Sequence, residues 1–237
     1  MPRIPLIEDL TTGTIPAGSN IVVEYEPSSQ WYAASITIAA GWLKQGGSLT
    51  YSAWAQSPAN IRTTLKRLGI DAAPLEAEPA SPNERLRIFD NYTPSLGLKS
   101  TEKLIGSLKV ADLSIMFSRE QFKLEPNPLR LRVTDDISTQ ARFNDEKSWV
   151  EFTLTRGFPL ASLVKSTSVH GLMKGVHSDW VYSRFEAAND GIVDVKVEEY
   201  EGEVRNRLRI RTMRNVGFDS RWHTLKVNEN IEVTLEK

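Results

Sequence analysis

The sequence predicts a single α/β domain in which helices flank a mostly parallel central sheet that closes with antiparallel strands. Two patterns support this prediction. In the first half of the chain, short runs rich in β-forming residues alternate with stretches of helical apolar spacing, which is typical of a parallel sheet. Near the C-terminus, three strand-like runs follow one another without an intervening helix, which indicates an antiparallel meander at the sheet's edge.

The elements of the first half follow from apolar runs and their flanking residues. The run Ile21–Val23 predicts a short buried strand, and the spacing of Trp31–Leu43 predicts a helix that stops at Gly46-Gly47. Ser57-Pro58 is a typical helix start, because proline is tolerated in the first helical turn. The remaining predictions are strands at Ser48–Ala53, Leu86–Asp90 and Leu129–Ile137, a surface loop at Asp71–Glu84, and helices at Ser100–Ser107 and Leu108–Glu120.

The second half predicts two helices and four strands. The helices are Asn144–Arg156 and Ser178–Ala188, and an apolar strand, Pro159–Val169, lies between them. The meander consists of Ile192–Tyr200, Arg205–Met213 and Trp222–Val233.

Composition limits the classes of protein to which the chain can belong. With 237 residues and 40% hydrophobic content it can bury a substantial core, and the absence of a composition shift favours one domain. The 29 basic and 30 acidic residues give a formal charge of -1, so no overall attraction to nucleic acid or membrane is expected. The lack of cysteine excludes disulfides, thiolate zinc sites and cysteine nucleophiles. No signal peptide or membrane-spanning run is recognised, and a cytoplasmic location is expected.

The chain from Gly13 to Ser35 has the outline of a phosphate-binding loop, with a strand, a polar loop and a helix in succession. Such loops need glycines, a lysine and a hydroxyl that holds Mg²⁺, in the pattern G-x-x-x-x-G-K-[ST]. The eight positions here are instead Tyr25, Glu26, Pro27, Ser28, Ser29, Gln30, Trp31 and Tyr32.

Two segments resemble the RecA superfamily, and its KaiC-like branch with the archaeal RadA paralogues in particular. Residues 13–19, GTIPAGS, followed by an apolar strand and Pro27, are similar to the entry to that family's P-loop. Residues 186–194, EAANDGIVD, are similar to its passage from the last helix into the closing strands. The resemblance implies one RecA-like domain over residues 1–237 with a degenerate Walker A motif at 25–32. It also aligns Asp135 with the Walker B aspartate.

The resemblance further implies that the chemistry of ATP hydrolysis has been lost. Trp31 and Tyr32 stand at the P-loop lysine and hydroxyl positions, and Ala55 and Gln56 stand where the family carries a water-polarising glutamate. The family's Lys-x-Arg pair, which reaches a neighbour's nucleotide, aligns with Thr212, Met213 and Arg214, so that only the arginine remains. We therefore expect a non-catalytic protein without a nucleotide cofactor or a metal.

A RecA-like domain without ATPase chemistry can still take a subunit position in an assembly or hold an active relative in one state. The leading hypothesis is therefore a regulatory or interaction subunit. Its expected partner is a paralogous KaiC-like or RadA-like ATPase, or a second copy of the chain.

A row of alternating arginines supports a first alternative, a nucleic-acid-binding accessory factor. The row comprises Arg205, Arg207, Arg209 and Arg211, and Arg214 extends it. On a strand, this spacing places the four guanidinium groups on one face. The competing and favoured interpretation is a ladder of ion pairs with acidic residues of the preceding strand, Asp194 and Glu198 among them.

A second alternative is a small-ligand sensor in the former nucleotide cleft, which would require an open cavity behind Trp31. The favoured interpretation is that Tyr25, Trp31 and Tyr32 fill that volume and that Trp54 joins the same aromatic cluster. The histidines His170, His177 and His223 give no metal or catalytic pattern, so each is expected to be structural with its hydrogen bonds satisfied.

Overall fold

The protein's structure, a computed structural model, describes residues 2–76, 84–115 and 126–236. The described strands are β1 (Asn20–Tyr25), β2 (Ser48–Ala53), β3 (Leu86–Asp90), β4 (Arg130–Thr134), β5 (Thr167–Met173), β6 (Gly191–Tyr200), β7 (Glu203–Met213), β8 (His223–Val227) and β9 (Val233–Glu236). The α-helices are α1 (Trp31–Lys44), α2 (Pro58–Arg67), α3 (Tyr92–Ser95), α4 (described at 110–115), α5 (Ser138–Ala141), α6 (Glu146–Phe152), α7 (Phe158–Leu163) and α8 (Asp179–Ala188). A 3-10 turn covers Glu8–Leu10, and a π-helical turn, Thr153–Gly157, joins α6 to α7.

The described strands form one sheet in the order β3-β2-β4-β5-β1-β6-β7-β8-β9. Every pairing from β3 to β6 is parallel, whereas the pairings from β6 to β9 are antiparallel. The prediction of a single α/β domain with a mostly parallel sheet and an antiparallel closing meander is confirmed. Within the described ranges, no helix has the length and apolar character needed to cross a membrane.

Helix α1 is buried on nearly all sides because the N-terminal segment covers the side that the sheet does not. Pro5 packs so closely against Gly41 that a Cβ there would lie 2.5 Å from the proline Cγ. Glu8, only 1% exposed, ties this segment down by accepting hydrogen bonds from the backbone N–H of Ile4 and, at 2.8 Å, of Ile15. The leading segment is thus part of the core.

Two sequence predictions in the middle of the chain are wrong. Ser100–Ser107 is not helical but an extended loop, whose Ile105 bridges to Asp90 and whose Gly106 N–H donates to the Asp90 carbonyl. Pro159–Val169 is not one strand, because α7 occupies its first part and β5 begins only at Thr167. Pro159 is the second residue of α7, directly after the π-helical turn.

Other boundaries are also corrected. Leu129–Ile137 is a strand only from Arg130 to Thr134, and Trp222–Val233 contains β8, a turn and the start of β9. The Asn228 side chain creates that turn by accepting hydrogen bonds from the backbone N–H groups of Asn230 and Glu232. Part of the predicted helix Leu108–Glu120 and part of the predicted loop Asp71–Glu84 lie outside the described residues.

Candidate functional site

The loop between β1 and α1 lies at the centre of the sheet's carboxyl edge, because β1 pairs with β5 on one side and with β6 on the other. This is the edge at which open α/β sheets bind ligands. Tyr25 ends β1, Trp31 and Tyr32 begin α1, and Glu26, Pro27, Ser28, Ser29 and Gln30 form the connection.

The Trp31 side chain fills the space beneath this loop. Its side chain is 1% exposed, and its indole Nε1 donates a 2.7 Å hydrogen bond to the backbone carbonyl of Asp135, just beyond β4. The ring lies directly against Gly171 of β5, where an added Cβ would be 2.2 Å from Nε1. The ligand-sensor alternative required an open cavity behind Trp31, and the position of this indole argues against it.

Tyr25 and Tyr32 complete an aromatic cluster with Trp31. The Tyr25 and Trp31 rings are stacked with centroids 6.0 Å apart, and the Tyr25 and Tyr32 hydroxyls are 3.1 Å apart. Burial raises the pKa of Tyr32 to about 12 and that of Tyr25 further still, so both phenols are neutral. Trp54 does not join this cluster as expected, since it instead lines a cavity together with Ser52 and Thr134.

The backbone of the loop is tied to the neighbouring closing strands. The Glu26 N–H donates to the carbonyl of Val195 at 3.0 Å, and the Glu26 carboxylate accepts from the N–H of Val197 at 2.7 Å. The Gln30 N–H donates to the side chain of Asn206 at 2.8 Å. A phosphate-binding loop instead directs its N–H groups toward a shared anion. These N–H groups already have acceptors within the protein.

Asp135, aligned with the Walker B aspartate, is fully buried, and its carboxylate is hydrogen-bonded to backbone N–H groups. Its carboxylate oxygens accept hydrogen bonds from the N–H groups of Trp54 at 2.8 Å and Ala55 at 3.2 Å. Burial raises the pKa of Asp135 to about 7, and the neighbouring Asp136 adds to the shift against those two hydrogen bonds. Asp136 in turn accepts from the Ser138 N–H and the Thr139 hydroxyl. Both carboxylates therefore fix the loops at this edge.

The arginine row is engaged in contacts within the protein. Arg207 pairs with Glu198 at 2.7 Å, and Arg209 pairs with Asp194 at 2.9 Å, as the ion-pair interpretation predicts for this hairpin. The other contacts are those of Arg205 with Glu203 at 3.3 Å, of Arg211 with Glu24, Asp194 and Glu186, and of Arg214 with the carbonyl of Ala187 at 2.9 Å. Much of the positive charge of the row is balanced by carboxylates.

Arg211 holds two buried carboxylates at the base of this hairpin. Glu24 and Asp194 have side chains that are 5% and 1% exposed. Burial alone would raise the pKa of Asp194, but hydrogen bonds from Arg211, Lys174 and Arg209 hold it below its ordinary range. Burial raises the pKa of Glu24 despite its contact with Arg211. The contacts of Arg211 with Glu24 and Asp194 are therefore structural, because they compensate buried carboxylates.

The three positions aligned with the Lys-x-Arg pair have different surroundings. Thr212 is exposed, whereas Met213 is 6% exposed and packs against Gly191, where a Cβ would lie 2.6 Å from its sulfur. Arg214 donates hydrogen bonds to two nearby backbone carbonyls, from its backbone N–H to Asp190 and from its guanidinium to Ala187. Met213 is thus a core residue.

The sequence interpretation missed a second polar region on the other face of the sheet. His170 lines a cavity there, and its Nε2 has no hydrogen-bond partner within the described ranges, contrary to the expectation of a satisfied histidine. The Nε2 atom of His177, a residue that does not line this cavity, also has no hydrogen-bond partner within the described ranges. Its Nδ1 atom lies 3.4 Å from the Glu146 carboxylate. The signal was present in the strands, since polar residues alternate with apolar ones in β2 and β4 and over residues 168–170 of β5.

No known family model matches the chain, and no curated protein matches it. Among solved structures, it is similar to the KaiC-like protein PH0186 from the hyperthermophilic archaeon Pyrococcus horikoshii OT3. The TM-score is 0.73 at 14% sequence identity, and the match covers 100% of this chain and 97% of that one. The chain therefore has the KaiC-like RecA fold that its sequence segments predicted.

Proposed function

We propose that this protein is a non-catalytic, cytoplasmic member of the KaiC-like group, a pseudo-ATPase that acts through contacts with other proteins. The observation that carries the proposal is the position of Trp31. A bulky, uncharged side chain fills the space under the β1–α1 loop and is hydrogen-bonded to Asp135. A triphosphate would need that space and a cation in it.

The surroundings of Trp31 support the same proposal. Catalysis of phosphoryl transfer depends almost entirely on positioning and charge stabilisation, and a single arginine can contribute about 10³ to 10⁵ in rate. Here the loop N–H groups of Glu26 and Gln30 have protein acceptors, and the Asp135 carboxylate is occupied by backbone N–H groups. Ala55 supplies no general base. Several separate contributions to the rate are absent together.

The expected partner is an active KaiC-like or RadA-like ATPase, or a second copy of this chain. RecA-like domains pack side by side in rings and filaments, so an inactive member can occupy a position beside an active one. In that place it would bias the active subunit through their shared interface rather than through its own nucleotide.

Phosphate release from Mg-ATP tests the catalytic half of the proposal. The purified protein is expected to give no release above buffer, and an active KaiC-like ATPase assayed in parallel serves as the positive control. Hydrolysis that co-elutes with the folded protein through successive purification steps would contradict the proposal. The same assay tests the regulatory half of the proposal. The rate of ATP hydrolysis by the active KaiC-like enzyme is expected to change when this protein is added.

The nucleic-acid alternative is less well supported, because the arginine row is largely balanced by acidic partners. Binding of single-stranded and duplex DNA at low salt would test it directly, with the charge-reversal variants Arg207→Glu and Arg209→Glu as controls. Salt-sensitive binding that these reversals abolish would revive this alternative. We expect no such binding.

A further inference from the structure

Strand β9 lies at one edge of the sheet, because among the described strands only β8 is next to it. The edge of a sheet presents a row of backbone N–H and C=O groups that can pair with a strand from another chain. Among the described residues, no segment forms backbone pairs with the outer side of β9. This edge is therefore available to an added strand.

The turn between β8 and β9 determines which backbone groups of β9 face outward. The Asn228 N–H donates to the Glu232 carbonyl at 3.0 Å, and along an antiparallel pair hydrogen-bonded positions alternate with positions that are not. Val233 and Leu235 therefore direct their backbone groups away from β8. In agreement with this phase, the Val233 N–H donates to the Thr37 hydroxyl of α1 at 2.9 Å. The N–H and carbonyl of Leu235 are left for an added strand.

The outer edge of β9 opens into a groove of about 950 Å³, which we call the β9 groove. It is lined by residues 232–235, by residues 9–12 of the N-terminal segment, and by Thr37, Ala40 and Gly41 of α1. Alternate side chains of an added strand would point toward α1, where these small residues leave space. Because the lining continues from β9 across α1 to the N-terminal segment, the groove fits one extended segment better than the edge of a second sheet.

Two cationic side chains of the β9 groove, Arg3 and Lys44, form no ion pair with a carboxylate among the described residues. Both are exposed, and the Gln45 side chain holds Arg3 beside the end of α1 through hydrogen bonds of 2.7 and 2.9 Å with its backbone. The acidic residues of the groove already accept hydrogen bonds within the protein, Asp9 from the Leu6 N–H, Asp219 from Arg221 and Glu232 from Asn228. The unpaired cations favour an acidic residue in whatever occupies the groove.

We propose that the β9 groove binds an extended, acidic peptide segment of another protein, which adds to the sheet beside β9. Its backbone hydrogen-bonds to the N–H and carbonyl of Leu235, its alternate side chains lie against α1, and a carboxylate contacts Arg3 and Lys44. Main-chain pairing of this kind supplies affinity, and the side-chain contacts supply specificity. The inference rests on the proposed role in contacts with other proteins. Its test contains neither nucleotide nor an ATPase, so a failed test would leave the pseudo-ATPase proposal standing.

Fluorescence anisotropy with a labelled peptide, Glu-Val-Thr-Val-Thr-Val-Glu, tests the backbone pairing. Two further peptides carry N-methyl groups, one on the valines and the other on the threonines. A strand pairs with one neighbour through alternate N–H groups only, so one of the two methylated peptides keeps the N–H groups that face β9. We expect the parent peptide to bind with a Kd below about 1 mM. One methylated peptide is expected to bind about tenfold more weakly, and the other is expected to keep the parent affinity.

Matched variants of the protein test the same edge. Leu235→Pro removes the outward N–H, and proline is tolerated on an edge strand where the N–H faces away from the sheet. Leu235→Ala shortens the side chain and keeps the N–H. We expect Leu235→Pro to bind the parent peptide about tenfold more weakly than Leu235→Ala does. Lys44→Gln should weaken binding, whereas Lys66→Gln, a change in the last turn of α2 outside the groove, should not.

Circular dichroism and urea unfolding check that the variants fold, and the methylated peptides test the pairing on the unaltered protein. The proposal is overturned if the parent peptide does not bind at millimolar concentration, or if the two methylated peptides bind equally. It is also overturned if folded Leu235→Pro binds the parent peptide as tightly as Leu235→Ala.

Discussion

Asp135 and Trp31 meet at one contact, and the pseudo-ATPase proposal rests on both residues. The backbone carbonyl of Asp135 accepts the Trp31 indole N–H, while its carboxylate caps the N–H groups of Trp54 and Ala55. A carboxylate with two backbone donors and no exposed surface is placed to hold loops rather than to hold Mg²⁺ through water.

We predict that Asp135→Asn lowers the free energy of unfolding by about 1–3 kcal/mol at pH 4, because an amide nitrogen cannot accept from a backbone N–H and leaves a buried donor unpaired. At this pH the carboxyl of Asp135, whose pKa is about 7, is neutral in the folded protein, so the variant removes no buried charge. Urea unfolding at pH 4 measures the loss, and urea unfolding at pH 8 with and without Mg²⁺ measures any metal binding. Magnesium should leave the midpoints of both proteins unchanged. A variant as stable as the wild type, or a stabilisation by Mg²⁺ that the variant loses, would argue for a metal-binding role.

His170 is expected to make stability depend on pH. Its pKa is about 3 in the folded protein and 6.5 in the unfolded chain, so below pH 6.5 only the unfolded chain takes up the proton. This residue's contribution therefore falls as pH decreases from about 6.5 toward 3. Asp135 has the opposite dependence, because its folded pKa of about 7 lies above the ordinary 3.8.

Comparison of the wild type with His170→Phe isolates the histidine, since Asp135 is common to both. We predict that the wild type loses about 2 kcal/mol more than the variant between pH 7 and pH 5. Urea unfolding at the two pH values gives the difference. Equal losses would show that His170 is protonated in the folded protein or is accessible to solvent.

Within the closing meander, the hairpin of β6 and β7 contains both a buried and an exposed class of ion pair. Arg211 neutralises the buried carboxylates of Glu24 and Asp194, whereas Arg205 pairs with Glu203, whose side chain is 72% exposed. Breaking a buried pair leaves an uncompensated charge, but an exposed pair contributes little because water screens it.

We predict that Arg211→Met lowers the free energy of unfolding by about 3–5 kcal/mol, whereas the matched change Arg205→Met lowers it by at most about 1 kcal/mol. Denaturant unfolding of both variants at neutral pH provides the measurement. Equal losses of unfolding free energy in the two variants would mean that the ion pairs of Arg211 are as well solvated as the ion pair of Arg205.

How far the sequence predicts each element depends on whether its signals are local. Strands β2 and β3 and the start of α2 were predicted correctly. Their signals, a run of β-forming residues or the Ser57-Pro58 pair, lie within a few consecutive residues. The strand prediction at Pro159 failed because proline and apolar residues fit both a helix start and an edge strand. Ser100–Ser107 failed because its conformation depends on Asp90, which no local pattern reveals.

In the candidate site too, features with local signals could be predicted, whereas contacts between residues distant in sequence could not. The β1–α1 loop could be predicted from the succession of a strand, a polar loop and a helix and from the RecA resemblance. The hydrogen bond from Trp31 to Asp135 joins residues 104 positions apart, so only the fold brings them together. The polar cavity was also missed, although the alternation of polar and apolar residues in β2 and β4 is a signal of it.

Over the whole molecule, the sheet separates two regions of different character. Its carboxyl edge at β1 carries an aromatic cluster with satisfied backbone groups, and its far face at β2–β5 carries a polar cavity. Under the pseudo-ATPase proposal, the aromatic cluster occupies the nucleotide space, and the protein acts through the side-by-side packing that RecA-like domains use in assemblies. We propose that this space does not accept nucleotide.

The thermal unfolding midpoint with and without millimolar Mg-ATP tests whether nucleotide binds. A ligand present at about 100 times its dissociation constant stabilises the native state by about 2.7 kcal/mol, which raises the midpoint by several degrees. Magnesium with inorganic phosphate serves as the control for salt effects. The pseudo-ATPase proposal predicts no shift beyond that control, and a clear rise specific to Mg-ATP would contradict it and establish a nucleotide-binding subunit.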